Sequence, residues 1–182
     1  MFDYLLGNIV EIGKFVVLDN SGIGYKIFCS RNSLMKLAVG ERAKLFIYLS
    51  IKEDSHTLFG FASKQEREIF EYFISTNGIG PKLALDILST FSIAQVKDCI
   101  LNERADILTK TPGMGMKKAK KLIIETKDKI KMIDCGQADV SIEDDITQAL
   151  LNLGYSKKEI MNKLEYYEDV EGGIRDMLAK LS

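Results

Sequence analysis

Apolar and polar residues alternate with a period near two over the first 62 positions, and with a period near 3.6 from Ser63 onward. The early runs "NIVEI", "FVVLDNSGIGYKIFCS" and "AKLFIYLSIKEDSHTLFGFA" are rich in Val, Ile, Phe and Tyr and are broken by Gly, Asn, Asp and Ser. They predict five or so short strands, with Asn20-Ser21-Gly22 as a hairpin turn between Val16–Leu18 and Tyr25–Phe28. So many short strands in so little chain favour a small closed antiparallel barrel of the OB kind over residues 1–62, because closure removes exposed edges.

Ser63-Lys64-Gln65-Glu66 has the form of a capping box, and Ile69, Phe70, Phe73 and Ile74 behind it make one helical face. Ser92 caps another short helix carrying Val96 and Ile100, and helices follow to about Met132. Each is too short to stand alone, so they pack on one another as an all-α domain over 63–133. "DCGQADV" at 134–140 reads as a linker. Residues 141–182 then predict a small three-helix domain, entered at Ser141 and again at Ser156, with a last helix over roughly 171–181.

Charge changes this picture. The net value of −1 divides into +1 for residues 1–63, +4 for 64–133 and −6 for 134–182. A basic middle and an acidic end imply different partners. No run of 18 apolar residues is present, and "MFDYLLGNIVEIG" carries Asp3 and no basic start, so neither a membrane span nor a signal peptide is expected. The expected location is cytoplasmic. Cys29, Cys99 and Cys135 lack metal-ligand spacing, and His56 is the single histidine. Zinc sites, Ser-His-Asp triads and a resident cofactor are therefore not expected, and no G-x-x-x-x-G-K-[ST] supplies a nucleotide site.

The strongest signal is a repeat at a shift of 35. Gly78-Ile79-Gly80 falls on Gly113-Met114-Gly115, Ala84 on Ala119, and Ile87-Leu88 on Leu122-Ile123. Each copy predicts helix, tight hairpin, helix, with the middle apolar residue tucked between helices and the alanine allowing close packing. Uncovered backbone amides at a helix start form a seat for phosphate. Lys82 trails the first copy, and Lys117, Lys118, Lys120 and Lys121 trail the second. Residues 110–131 hold eight lysines against two acidic residues. A lone Gly-x-Gly is usually just a tight turn, and a lysine-rich helix a solvated face; two copies in one frame point to sequence-independent binding of a DNA backbone. The candidate residues are Asn77, Gly78, Gly80, Lys82, Gly113, Gly115, Lys117, Lys118 and Lys121.

These paired motifs match the helix-hairpin-helix, and the chain resembles the RuvA family of Holliday-junction-binding proteins nearly end to end. The likeness lies in "LLGNIVEI", "GIGYKI", "KEDSHTLFGF", "TNGIGPKLALDIL", "PGMGMKKAKKLIIETKDK" and "ALLNLGY". It implies the same order of OB barrel, double helix-hairpin-helix domain and small helical domain. It further implies that Glu53 and Asp54, otherwise readable as a solvated turn, form an acidic pin that repels phosphates at the junction centre. Two carboxylates are too few for a nuclease metal site, and His56 beside them is read as incidental. Where the family commonly has a basic residue after the second Gly-x-Gly, this chain has Met116. The resemblance implies a non-catalytic subunit and a homotetramer. It implies a separate motor ATPase, RuvB, docking on the tail at Leu150, Leu153, Tyr155, Ile174, Met177 and Leu178, and the RuvC resolvase joining through the complex. The rival readings are a generic duplex-binding scaffold and a repair nuclease or glycosylase that docks through the same motifs.

Overall fold

The computed structural model describes residues 2–133, 142–156, 159–160 and 170–181. The chain divides into two compact units, 1–135 and 136–182. The proposed linker at 134–140, Cys135 and the expected cap at Ser141 lie outside the described residues.

The first unit begins with five strands: β1 (Tyr4–Ile12), β2 (Val16–Asn20), β3 (Ile23–Cys29), β4 (Arg42–Ile51) and β5 (His56–Phe61). They close a barrel in the order β1-β2-β3-β5-β4, with β4 returning to β1. Alternate residues point inward, and Leu5, Ile9, Val16, Leu18, Ile27, Leu45 and Ile47 fill the interior. The β2–β3 turn is Ser21-Gly22, both at positive φ (55° and 85°), which suits the twist of a two-residue hairpin. One pairing departs from the expected all-antiparallel barrel: β3 and β5 run parallel, with Ile27 opposite Leu58. A parallel pair needs a long crossover, here made by a four-residue helix α1 (Arg31–Leu34) and strand β4.

Five helices complete this unit: α2 (Lys64–Ser75), α3 (Pro81–Thr90), α4 (Ile93–Leu101), α5 (Ala105–Leu108) and α6 (Met116–Met132). The Ser92–Gln95 capping box is complete. At Ser63 only half of it forms: Ser63 accepts from the Glu66 amide, but the Glu66 side chain turns away into the protein. The barrel interior is its own apolar cluster, while the core of the helices takes in Phe59 and Phe61 from β5. The Phe70 ring lies 4.9 Å from Phe61, 5.3 Å from Phe59 and 5.3 Å from Tyr48, so α2 is bolted to the barrel wall.

In the second unit, α7 (Ile142–Asn152) and α8 (Val170–Leu181) pack around Ile146, Leu150, Ile160 and Met177. Helix α7 ends at Gly154 (φ 96°), with the Gly154 amide donating to Leu151 O at 3.0 Å and the Tyr155 amide to Leu150 O at 3.2 Å. That bond pair is a Schellman motif, which satisfies carbonyls the helix leaves open. Of the helix expected from Ser156, only its start at Glu159–Ile160 is described. No helix among the described residues is long and apolar enough to cross a membrane.

Candidate nucleic-acid interface

Helices α2 and α3 enclose the first glycine hairpin, and α5 and α6 the second. Both are built alike. The Ile79 amide donates to Thr76 O at 3.0 Å, and the Met114 amide to Thr111 O at 3.1 Å. Gly78 and Gly113 sit at φ 93° and 82°, where a side chain strains the backbone. Gly80 and Gly115 then cap the next helix in ordinary extended geometry (φ −88° and −86°). Their carbonyls accept from Ala84 and Ala119 at 3.0 Å each, opening the helical ladders.

Burial follows the repeat. Ile79 and Met114 are buried between the helices, and Ala84 and Ala119 are fully buried where helices meet. Thr76 and Thr111 are both 1% exposed, and their main-chain carbonyls accept the two turn bonds. This threonine pair was present in the sequence at the same spacing of 35 and carries the motif back two residues before its first glycine. Asn77, Gly78, Gly80, Gly113 and Gly115 are exposed.

The second glycine of each pair has a different reason from the first. A Cβ placed on Gly80 or Gly115 meets nothing within 4 Å, so the fold of this chain does not demand glycine there. Glycine instead leaves the amides at the start of α3 and α6 open to an outside group. These are among the N–H groups that have no acceptor in their own helix, and the helix dipole makes them favourable to an anion. The two hairpins are neighbours: Leu83 at the start of α3 lies 3.8 Å from where a Cβ on Gly113 would stand.

Lys82, Lys117, Lys118 and Lys121 are all exposed. The lysine bias of 110–131 is not uniform along α6. Lys127 bonds Glu103 at 2.5 Å, Lys129 lies 5.5 Å over the Tyr72 ring, and Lys131 pairs with Asp128 at 3.5 Å. Lys121 is 3.6 Å from Glu125. Among the described residues Lys117, Lys118 and Lys120 of α6 show no such pairing, and Lys117 and Lys118 lie in the first turn beside the open amides. Met116, 46% exposed, takes the first position of that helix.

Glu53 and Asp54 occupy the exposed tip of the β4–β5 hairpin, closed by the Lys52 amide donating to Ser55 O at 2.9 Å. Ser55 Oγ donates to Asp54 Oδ1 at 3.4 Å. His56, also exposed, opens β5 opposite Ile51. No group of three or more His, Cys, Asp or Glu with metal-holding geometry occurs among the described residues. The buried thiols are held protonated: burial, then the charge of Glu66, pushes Cys29 up to about 12, and burial raises Cys99.

The expected docking residues of the tail separate sharply. Leu150 and Met177 are fully buried, so they are core and present no surface, which corrects their assignment as docking residues. A helix this short must spend its most apolar positions on its own core. Tyr155, Ile174 and Leu178 are partly buried against that core. Leu153 is 61% exposed, projecting from the turn that ends α7.

Comparison with known proteins agrees with this architecture. Residues 1–60 match the RuvA N terminal domain, and residues 70–128 the SAM-like helix-hairpin-helix tandem. A Holliday junction branch migration complex subunit RuvA from Caldanaerobacter subterraneus subsp. tengcongensis is 38% identical, covering 100% of both chains. The protein of that name from Fusobacterium nucleatum is 37% identical over 96% of each chain. The one from Actinobacillus pleuropneumoniae is 42% identical over 85% of each. With a barrel, paired hairpins and relatives of this closeness along the whole chain, the protein belongs to the RuvA family.

Proposed function

We propose that this protein binds four-way junction DNA through the backbones of its duplex arms, without reading base sequence, as a subunit of a branch migration complex. The observation that carries this is the adjacent pair of glycine hairpins, whose second glycines leave helix-start amides open beside Lys82, Lys117 and Lys118. Asn77, Gly78, Gly80, Gly113, Gly115 and Lys121 complete the backbone grip. Glu53 and Asp54 act at the crossover, where two negative charges repel phosphates and disfavour a continuous duplex. Relatives whose name is that of a branch migration complex subunit support this assignment.

The subunit itself is non-catalytic. Motion of the branch point comes from a separate ATPase, RuvB, engaged by the acidic tail with Leu153, Tyr155, Ile174 and Leu178 as the accessible apolar residues. RuvC joins through the complex, the protein works as a homotetramer in the cytoplasm, and the service is to recombination and repair.

Competition of a labelled four-way junction against excess linear duplex, without added metal and at two salt concentrations, tests the proposal. The junction complex should survive the excess, and Glu53→Ala/Asp54→Ala should lose that preference while still binding duplex. If duplex competes equally with the unmodified protein, the protein is a general duplex-binding scaffold. Strand cleavage or base release in the same samples would make it an enzyme.

A further inference from the structure

Helix α1 belongs to the barrel in sequence but bonds mainly to the helical region. Asn32 Nδ2 donates to the carbonyls of Leu88 at 2.7 Å and Phe91 at 2.9 Å, closing the end of α3. The Arg31 amide donates to Ser89 Oγ at 3.0 Å. On the other side, Ser30 Oγ and Ser33 Oγ donate to the two carboxylate oxygens of Glu66 in the first turn of α2, the latter at 2.7 Å. Glu66 is only 4% exposed.

A buried carboxylate is costly unless donors meet it. Among the described residues no lysine or arginine pairs with Glu66. It is held by two directional hydroxyl bonds, so the contact fixes an angle rather than merely attracting a charge. Each hydroxyl is also fixed from behind: Ser30 Oγ accepts the Ser33 amide at 3.0 Å, and Ser33 Oγ accepts the Ala62 amide at 2.8 Å.

Ala62 directly follows β5, the strand that starts at the acidic hairpin tip. One end of this strand thus carries Glu53 and Asp54, and the other ends in the bonds that hold α2. From Asp54 to Ala62 the chain spans roughly 26 Å at ~3.3 Å per residue. A rotation of about 10° at the Ala62 end moves the tip by about 4–5 Å over that length. Such a shift is a large part of the spacing between successive phosphates. The aromatic contacts around Phe70 hold α2 against the barrel, and the hydrogen bonds at Asn32 and Glu66 add a directional constraint on its angle.

We propose that Asn32 and Glu66 are positioning residues for junction recognition. They hold the acidic tip in fixed register with the two glycine hairpins, so that tip and hairpins meet one junction together. This rests on the junction-binding function above.

The test uses the full chain with Asn32→Ala and, separately, Glu66→Gln, each checked for a cooperative thermal transition; if one fails to fold, the other still decides. The first readout is the spin-label distance between Ser55→Cys and Asn77→Cys in a Cys135→Ser background, with labelled chain diluted by unlabelled. The second is the junction-to-duplex preference. The variants should broaden the distance distribution and keep duplex affinity. If the freed joint holds the competent orientation about a tenth of the time, apparent junction affinity falls about tenfold. In the Glu53→Ala/Asp54→Ala background, that loss should vanish. A distribution as narrow as in the unmodified protein overturns the proposal, and so does a broadened one with full junction preference. An unmodified protein with no junction preference would instead overturn the functional reading on which the proposal rests.

Discussion

Replacing Lys117 and Lys118 together with glutamine should change the salt dependence of DNA binding by a calculable amount. Both are exposed, lie in the first turn of α6 and lack an ion-pair partner among the described residues. In free protein each is therefore available to displace a counterion from DNA. A phosphate contact contributes about −0.9 to the slope of log K against log salt, so removing two flattens the slope by ~1.8. Between 50 and 200 mM salt, the ratio of unmodified to variant affinity should then shrink by about 12-fold. Lys131→Gln is the control, because that lysine already pairs with Asp128 at 3.5 Å near the far end of the helix. The assay is fluorescence anisotropy of a labelled duplex at four or more salt concentrations. Parallel lines for variant and unmodified protein would refute the reasoning, since the lysines would then act otherwise than on phosphates. An equal flattening by the Lys131 variant would refute the assignment of the contact to the helix start.

The two glycines of one hairpin should fail differently. Gly78→Ala forces a Cβ onto a residue at φ 93° and should cost roughly 1–2 kcal/mol of stability in chemical denaturation. Gly80→Ala meets open space and should leave stability within about 0.5 kcal/mol while weakening DNA binding; a Gly80 variant that binds normally would remove the phosphate seat from this site. Phe70→Ala takes the central ring from the helical core that takes in Phe59 and Phe61 of β5 and should cost about 3–5 kcal/mol in one cooperative transition. A separate barrel transition left unmoved in calorimetry would show that the two halves do not fold together. Glu103 has its carboxyl lowered first by the Lys127 hydrogen bond and then by that lysine's charge. Its contribution is therefore present above the ordinary carboxylate range and lost as pH falls through the lowered value. Glu103→Gln should flatten the acid limb of a stability-against-pH curve, more at low salt than at high, and an unchanged limb would show that the ion pair is idle.

Local order was legible from residues alone because it depends on near neighbours. The Ser21-Gly22 turn, the Ser92 cap and the repeat of glycine, apolar and alanine positions are short-range patterns, and the structure realises each of them. The +4 middle and −6 end were countable directly, but charge counts do not show which lysines are free. Only folding brings Glu103 to Lys127 and Tyr72 beneath Lys129, while among the described residues Lys117, Lys118 and Lys120 keep no partner and the first two lie at the open amides.

Tertiary structure decided whatever depended on contacts between distant segments. Glu66 fitted a capping box as well as any glutamate, yet its oxygens went to Ser30 and Ser33, more than thirty residues away, because those hydroxyls compensate its burial better than a local amide would. Helical periodicity marked Leu150, Leu153 and Met177 as equally apolar, but a small bundle has room for only some of them, so two became core and Leu153 remained outside. The sequence determined by itself the strands, the longer helices and the two glycine turns, since propensity, turn chemistry and glycine act within a few residues. The parallel closure of β3 on β5, the aromatic bolt at Phe70 and the angle between barrel and hairpins were decided only by the fold, because each depends on side chains that meet after the chain has closed on itself.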